Sequence, residues 1–384
     1  MSEYKYYEFR AIDRTLTAQE MKELRELSTR AEITPRSFTN EYAYGSFRGD
    51  PESMMEKYFD LFVYVANYGT RRLMIRVPAT LLPQKVVKPY CAETGLRAWK
   101  AGGNLVVSFE WADEPTGWED GGSYTAGLVG LRDELMCGDL RSLYLGWLAA
   151  VGSDRWYGDE DSAGDREPPV PPGLSKLSAA QKALADFLMI DEYLIAAAAE
   201  ADPGRPPADA TDEQLADWVK GLPAKDKDDY LIRLVSKNGA PSLAAKMLRR
   251  FRESNRPEPN ASKKASRRKL ADLLARRDVL EENARQAEAR AETKKQAKQK
   301  SGREAHLDTL AGREGQVWAD VEAKIQLKTQ DAYDEAVALL TDLRDLALRQ
   351  GRRADFDTRL HDLRHRHRYK TSLFDRINKA FPAS

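Results

Sequence analysis

The stretch RLHDLRHRHRYK, residues 359–370, gathers three of the chain's four histidines. His361 and His365 stand four apart, the spacing at which two imidazoles on one helical face can share a zinc ion. Asp357, four residues earlier, would complete a row of three ligands. The neighbours argue otherwise. Arg359, Arg364, Arg366, Arg368 and Lys370 crowd the same turns and disfavour a dication. The fourth histidine, His306, is distant in sequence. Phe356, Leu360 and Leu363 supply a buried stripe and leave the histidines at its wet edge. The expectation is therefore no metal. Arg364, Arg366 and Arg368 become contacts for an anion, strengthened below about pH 6.5 as the histidines protonate.

A second cationic group, Lys263, Lys264, Arg267, Arg268, Lys269, Arg276 and Arg277, lies on a helical pattern. Phosphate binding needs little more than several cations on an accessible face, with counterion release supplying the affinity. Asp278, Glu281, Glu282, Glu288 and Glu292 interleave it. Ion pairs four residues apart on a solvated or coiled-coil helix explain many of the same charges, so both readings stand.

A third group lies on strands. Tyr6 and Arg10 share one strand face, Arg72 and Arg76 another, Tyr42 and Tyr44 a third. If those faces coincide, they form a stacking platform for single-stranded nucleic acid. The alternative is that the helices of residues 116–152 cover this face and Glu8 or Glu41 pairs the arginines.

Enzyme signatures are absent: no phosphate-binding loop, dinucleotide fingerprint, HExxH zinc motif or nucleophile elbow occurs. Asp13 and Arg14, just after a strand, mark with Arg72 the strand ends where an enzyme site would sit. GWEDGGSY brings Glu119 and Asp120 among glycines, as an ordinary turn also would. No cofactor is expected.

The elements that position these residues follow from periodicity. YKYYEFRAI alternates as a strand. Thr17 with Glu20 is a capping box that opens a helix. Asp50 and Pro51 start a helix expected to run to Gly69. TRRLMIRVPA and GNLVVSFEW are strands, and DLRSLYLGWLAAVG is a helix. The expected fold is α+β. Residues 1–152 form a head with a small antiparallel or mixed sheet, a ferredoxin-like variant. Residues 153–174 form an acidic, proline-rich exposed linker. Residues 175–255 form a domain of short helices, and residues 256–384 a long basic helix and helical hairpin turned at Gly351.

Net charge is zero, yet residues 1–200 carry 22 basic against 31 acidic side chains and residues 201–384 carry 39 against 30. This split implies docking of the two halves or an anionic partner for the second. Two cysteines exclude a cysteine-built zinc site. No apolar run spans a membrane, and MSEYKYYEFR does not read as a signal peptide, so the expected location is cytoplasmic.

The segments YYEFRAIDRTLT, SFTNEY, FVYVANYGTRRLMIRVP, EPPVPPGLSKLSAAQKALADFL and HLDTLAGREGQVWADVEAKI resemble those of a family of bacterial proteins. The resemblance implies that the α/β unit and the charged tail belong together. It implies no activity and no site residues. The expectation is a non-enzymatic adaptor whose basic tail docks a protein partner or nucleic acid. The alternatives are an enzyme or enzyme subunit with its site at the strand ends, and a coiled-coil scaffold built on Leu270, Leu273 and Leu280.

Overall fold

The computed structural model describes residues 4–45, 47–92, 95–112, 124–152, 166–202, 204, 212–235, 240–254 and 267–382. They fall into two compact units, Met1–Glu282 and Asn283–Ser384. The sequence boundaries at 152, 174 and 255 lie inside the first.

The first unit begins β1 (Lys5–Arg10), α1 (Ala18–Leu27), β2 (Glu32–Thr34), β3 (Ser37–Tyr42), α2 (Pro51–Lys57) and β4 (Leu61–Ala66). These four strands lie in the order β2-β3-β1-β4, every pair antiparallel. This is the ferredoxin-like βαββαβ connectivity. It is extended by β5 (Thr70–Pro78), β6 (Leu96–Ala101) and β7 (Asn104–Ala112) into a seven-stranded sheet ending β5-β7-β6. Between β5 and β6 come α3 (Gln84–Val87) and a 3-10 turn, Lys88–Tyr90.

Local signals start the helices as read. The Thr17 side chain accepts from the Glu20 backbone and Glu20 reaches back to the Thr17 N–H. Asp50 caps α2 with Pro51 in its first turn. The helix expected through Gly69 ends at Lys57, however, and Leu61–Ala66 is a strand. Both faces of that strand are covered, so its apolar run is continuous and lacks the alternation that marks a half-exposed strand. Gly69, at φ 83°, serves the β4–β5 turn and not a helix end.

Helices cover both faces of the sheet. On one, Leu24 of α1 and Met54 and Met55 of α2 pack with Phe9, Phe38, Phe62 and Met74. Over the other lie α4 (Thr125–Leu128), α5 (Gly130–Met136), α6 (Arg141–Gly152), α7 (Ala179–Phe187) and α8 (Glu192–Ala199). Helix α6 is buried from Arg141 to Val151, as its all-round apolar sequence requires. Gly146 lets it approach β7: a Cβ there would stand 2.7 Å from Phe109 Cδ1. Gly146→Ala is therefore expected to cost about 1–3 kcal/mol by overpacking. Urea denaturation followed by tryptophan fluorescence checks this, and an unchanged midpoint refutes it.

The proline-rich stretch read as an exposed linker packs into the unit from Glu167 to Leu174. Glu167 and Leu174 are buried, and Tyr90 donates to the Pro169 carbonyl at 2.9 Å. Residues 153–165 of the expected linker lie outside the described residues. Helices α9 (Asp212–Gly221), α10 (Ala224–Val235) and α11 (Ala240–Ser254) follow. Next comes α12 (Leu270–Ala311), which passes through Gly302 without a break. Leu270 and Leu273 join the main core of the first unit and Leu280 packs against it, so that leucine stripe is no outward coiled-coil seam.

In the second unit, Leu307 and Leu310 at the end of α12 pack with α13 (Glu314–Leu327), α14 (Gln330–Arg349), α15 (Arg353–Arg366) and α16 (Thr371–Ala380). Gly351, at φ 70°, turns α14 into α15. Among the described residues no helix is long and apolar enough to cross a membrane.

Candidate functional site

The sheet residues read as a platform divide between its two faces. Tyr7 pairs with Tyr64, which pairs with Arg72, so these share the face under α1 and α2. Tyr42 contacts the Tyr7 ring edge-on at 5.9 Å on that same face. Tyr6 and Arg10 alternate to the opposite face. There Glu8, itself buried, accepts from Tyr6 at 2.8 Å, from Arg10 Nε at 2.6 Å and from Thr125 of α4. Burial and the Glu8 hydrogen bond push the Tyr6 hydroxyl well above its ordinary range. Arg72 pairs with Glu52 of α2, and Arg76 with Asp60 at 2.9 Å. Tyr44 is exposed beyond β3. The six residues form no common platform, because strand register sends alternate positions to faces that different helices cover.

The strand-end group is tied up in the same way. Asp60, almost fully buried, accepts from the Ile12 and Asp13 backbone N–H groups at 2.7 and 3.0 Å and from Arg76. Arg132 of α5, equally buried, donates to Asp13 at 2.6 Å and to the Arg76 carbonyl at 2.8 Å. Arg14 turns away to make a bidentate pair with Glu20, at 2.8 and 2.7 Å. The Arg14 hydrogen bond, foremost, holds the Glu20 carboxyl down to about 2. Asp13, Arg14 and Arg72 thus do not converge on a shared cleft. Glu119 and Asp120 lie outside the described residues.

Most of the predicted cations are also engaged. Arg268 clamps the buried Glu167 with two bonds of 2.9 Å and donates to the Ala197 carbonyl. Arg267 and Lys269 have exposed side chains and, among the described residues, are held only through their backbone: the Arg267 carbonyl accepts from Arg166 at 2.9 Å, and Lys269 pairs with Arg166 as an isolated β-bridge. Arg276 makes a bidentate pair with Glu200, and Arg277 bonds Asp278. Lys263 and Lys264 lie outside the described residues. In the second unit Arg364 donates to the Phe381 carbonyl at 2.5 Å and Arg366 pairs with Glu322 at 2.7 Å. Arg368 stacks on the exposed Tyr369, 4.8 Å from its centroid.

His361 and His365 are exposed, while His367 bonds Glu322 at 2.7 Å. Among the described residues no group of three or more His, Cys, Asp or Glu side chains is placed to hold a metal ion. A shallow cleft of about 330 Å³ lies between α13 and α15, lined by Trp318, Ala319, Glu322, Arg359, Asp362 and Arg366. Its charges are largely paired, and the Arg359 guanidinium covers the Trp318 ring at 5.6 Å.

What remains open is the middle of α12. Residues 285–302 are exposed on every side. They carry six Lys and Arg against two Glu, and no acidic residue between Glu292 and Glu304. Lys295 lies 4.0 Å from Glu292, whereas among the described residues Arg290, Lys294, Lys298 and Lys300 have no carboxylate within ion-pair distance. The density of cations pointed to 263–277, where folding pairs Arg268, Arg276 and Arg277 with carboxylates. The acid-free run TKKQAKQKSG, with no apolar stripe to dock it, is the signal that points to the accessible ones.

Comparison of the chain with models of protein families, with curated proteins and with solved structures gave no match.

Proposed function

We propose that the chain is a non-enzymatic interaction protein that docks an anionic partner through the basic middle of α12. The observation that carries this reading is the run of cations at Arg290, Lys294, Lys298 and Lys300, which are exposed and, among the described residues, have no carboxylate partner and no packing neighbour that buries them. A helix polar all round gains no burial from the fold. Its charge is available for association, where opposite fields raise the encounter rate.

Retention of the full chain on a heparin column tests the reading. The wild type is expected to bind at low salt and elute as salt rises. The triple variant Lys294→Ala, Lys298→Ala, Lys300→Ala should elute at clearly lower salt, since alanine keeps the helix while removing the charge. Identical elution of the two would sink the reading.

A further inference from the structure

The cations of this stretch are arranged on one side. Arg290, Lys294 and Lys298 follow at steps of four and fall within about 80° of helical arc. Ala287, Ala291, Ala297 and Ser301 fill the same sector, and Glu288 and Glu292 fall on the far side. The three charges are spaced about 6 Å apart along the axis. The small residues between them let a flat or grooved anion approach the helix closely.

The composition narrows the partner. Residues 285–302 contain no aromatic residue and no aliphatic side chain larger than alanine. A protein interface draws its affinity from buried aromatic and other large anchors. A membrane surface takes up a helix through bulky apolar residues that insert. Single-stranded nucleic acid is held by rings that stack on its bases. This stretch has none of these. Duplex phosphates need only cations. A bare helix about 10–12 Å across matches the roughly 12 Å major groove of B-DNA, whereas the A-form RNA groove is too narrow and deep to admit it.

We infer that residues 285–302 bind duplex DNA, lying along the major groove with Arg290, Lys294 and Lys298 on backbone phosphates. This rests on the reading of α12 as the anion-docking surface. Alanine and serine offer few hydrogen bonds to base edges, so the binding is largely independent of sequence.

The test is fluorescence anisotropy of the full chain with a mixed-sequence DNA duplex of about two helical turns. The same sequence as duplex RNA and a labelled poly-glutamate run in parallel. DNA binding is expected at about 50 mM salt, with a log–log salt slope of about −2.7 or steeper for three or more phosphates. Arg290→Ala, Lys294→Ala, Lys298→Ala together should flatten the slope by about 2.7 while far-ultraviolet circular dichroism stays unchanged. No DNA binding by the wild type, equal or tighter binding to RNA, or an unaltered triple variant each overturns the inference. If heparin or poly-glutamate is held and DNA is not, the DNA assignment falls and anionic docking stands. If none is held, both fall.

Discussion

Replacing Arg268 with methionine is expected to destabilise the first unit by about 3–5 kcal/mol, the cost of leaving a buried charge without its partner. Glu167 is the charge in question. Its side chain is only 3% exposed, and it accepts both Arg268 bonds and one from the Tyr144 hydroxyl. Burial, and after it the Glu167 charge, push that hydroxyl above its ordinary range, so Tyr144 stays a neutral donor and cannot replace the lost cation. Arg268 also donates to the Ala197 carbonyl, so one side chain joins the lead-in of α12, the proline-rich stretch and α8. Lysine should recover only part of the loss, because it lacks the planar fork. The double variant Glu167→Gln, Arg268→Met should be more stable than Arg268→Met alone, since no unpaired charge remains. Urea denaturation of the three variants decides the matter. A single variant within about 1 kcal/mol of wild type would show that the pair adds nothing net.

Asp60→Ala is expected to have an effect of similar size, about 3–5 kcal/mol, through a different route. The carboxylate satisfies two backbone N–H groups and the Arg76 guanidinium, with Arg132 Nη2 at 3.9 Å. Its removal leaves Arg76 without a carboxylate partner among the described residues and Arg132 with Asp13 alone, while two amides lose their acceptor. Arg132 Nη1 already has no partner among the described residues, so this cluster has little slack to absorb a further loss. Asp60→Asn should cost less than Asp60→Ala, because its amide oxygen still accepts from the backbone. Calorimetric unfolding gives the order directly, and equal losses for the two would mean that charge, not backbone satisfaction, dominates.

What was legible in the sequence was what is local. The Thr17–Glu20 box and the Asp50–Pro51 start lie within one turn of chain and formed as read. What was not legible depends on register and on distant partners. Leu61–Ala66 reads as helix because a central strand buried on both faces has no alternation to show. Tyr6 and Arg72 seem equivalent until pairing places them on opposite faces of the sheet. Arg268 stands 101 residues from Glu167, so a dense basic cluster could be seen but not its use. Accessibility, more than charge density, separates Lys294, Lys298 and Lys300 from Arg268, and accessibility is a property of the fold.

The bare middle of α12 also bears on how the chain moves. With no side chain of residues 285–302 buried, its amides are protected only by the helix's own hydrogen-bond ladder, and Gly302 weakens that ladder near one end. Local opening there is separate from unfolding of either core and needs far less free energy. A partner that grips this stretch would close those openings. Occupancy would then be written into the exchange rates of a single helix, with no rearrangement of the folded cores required.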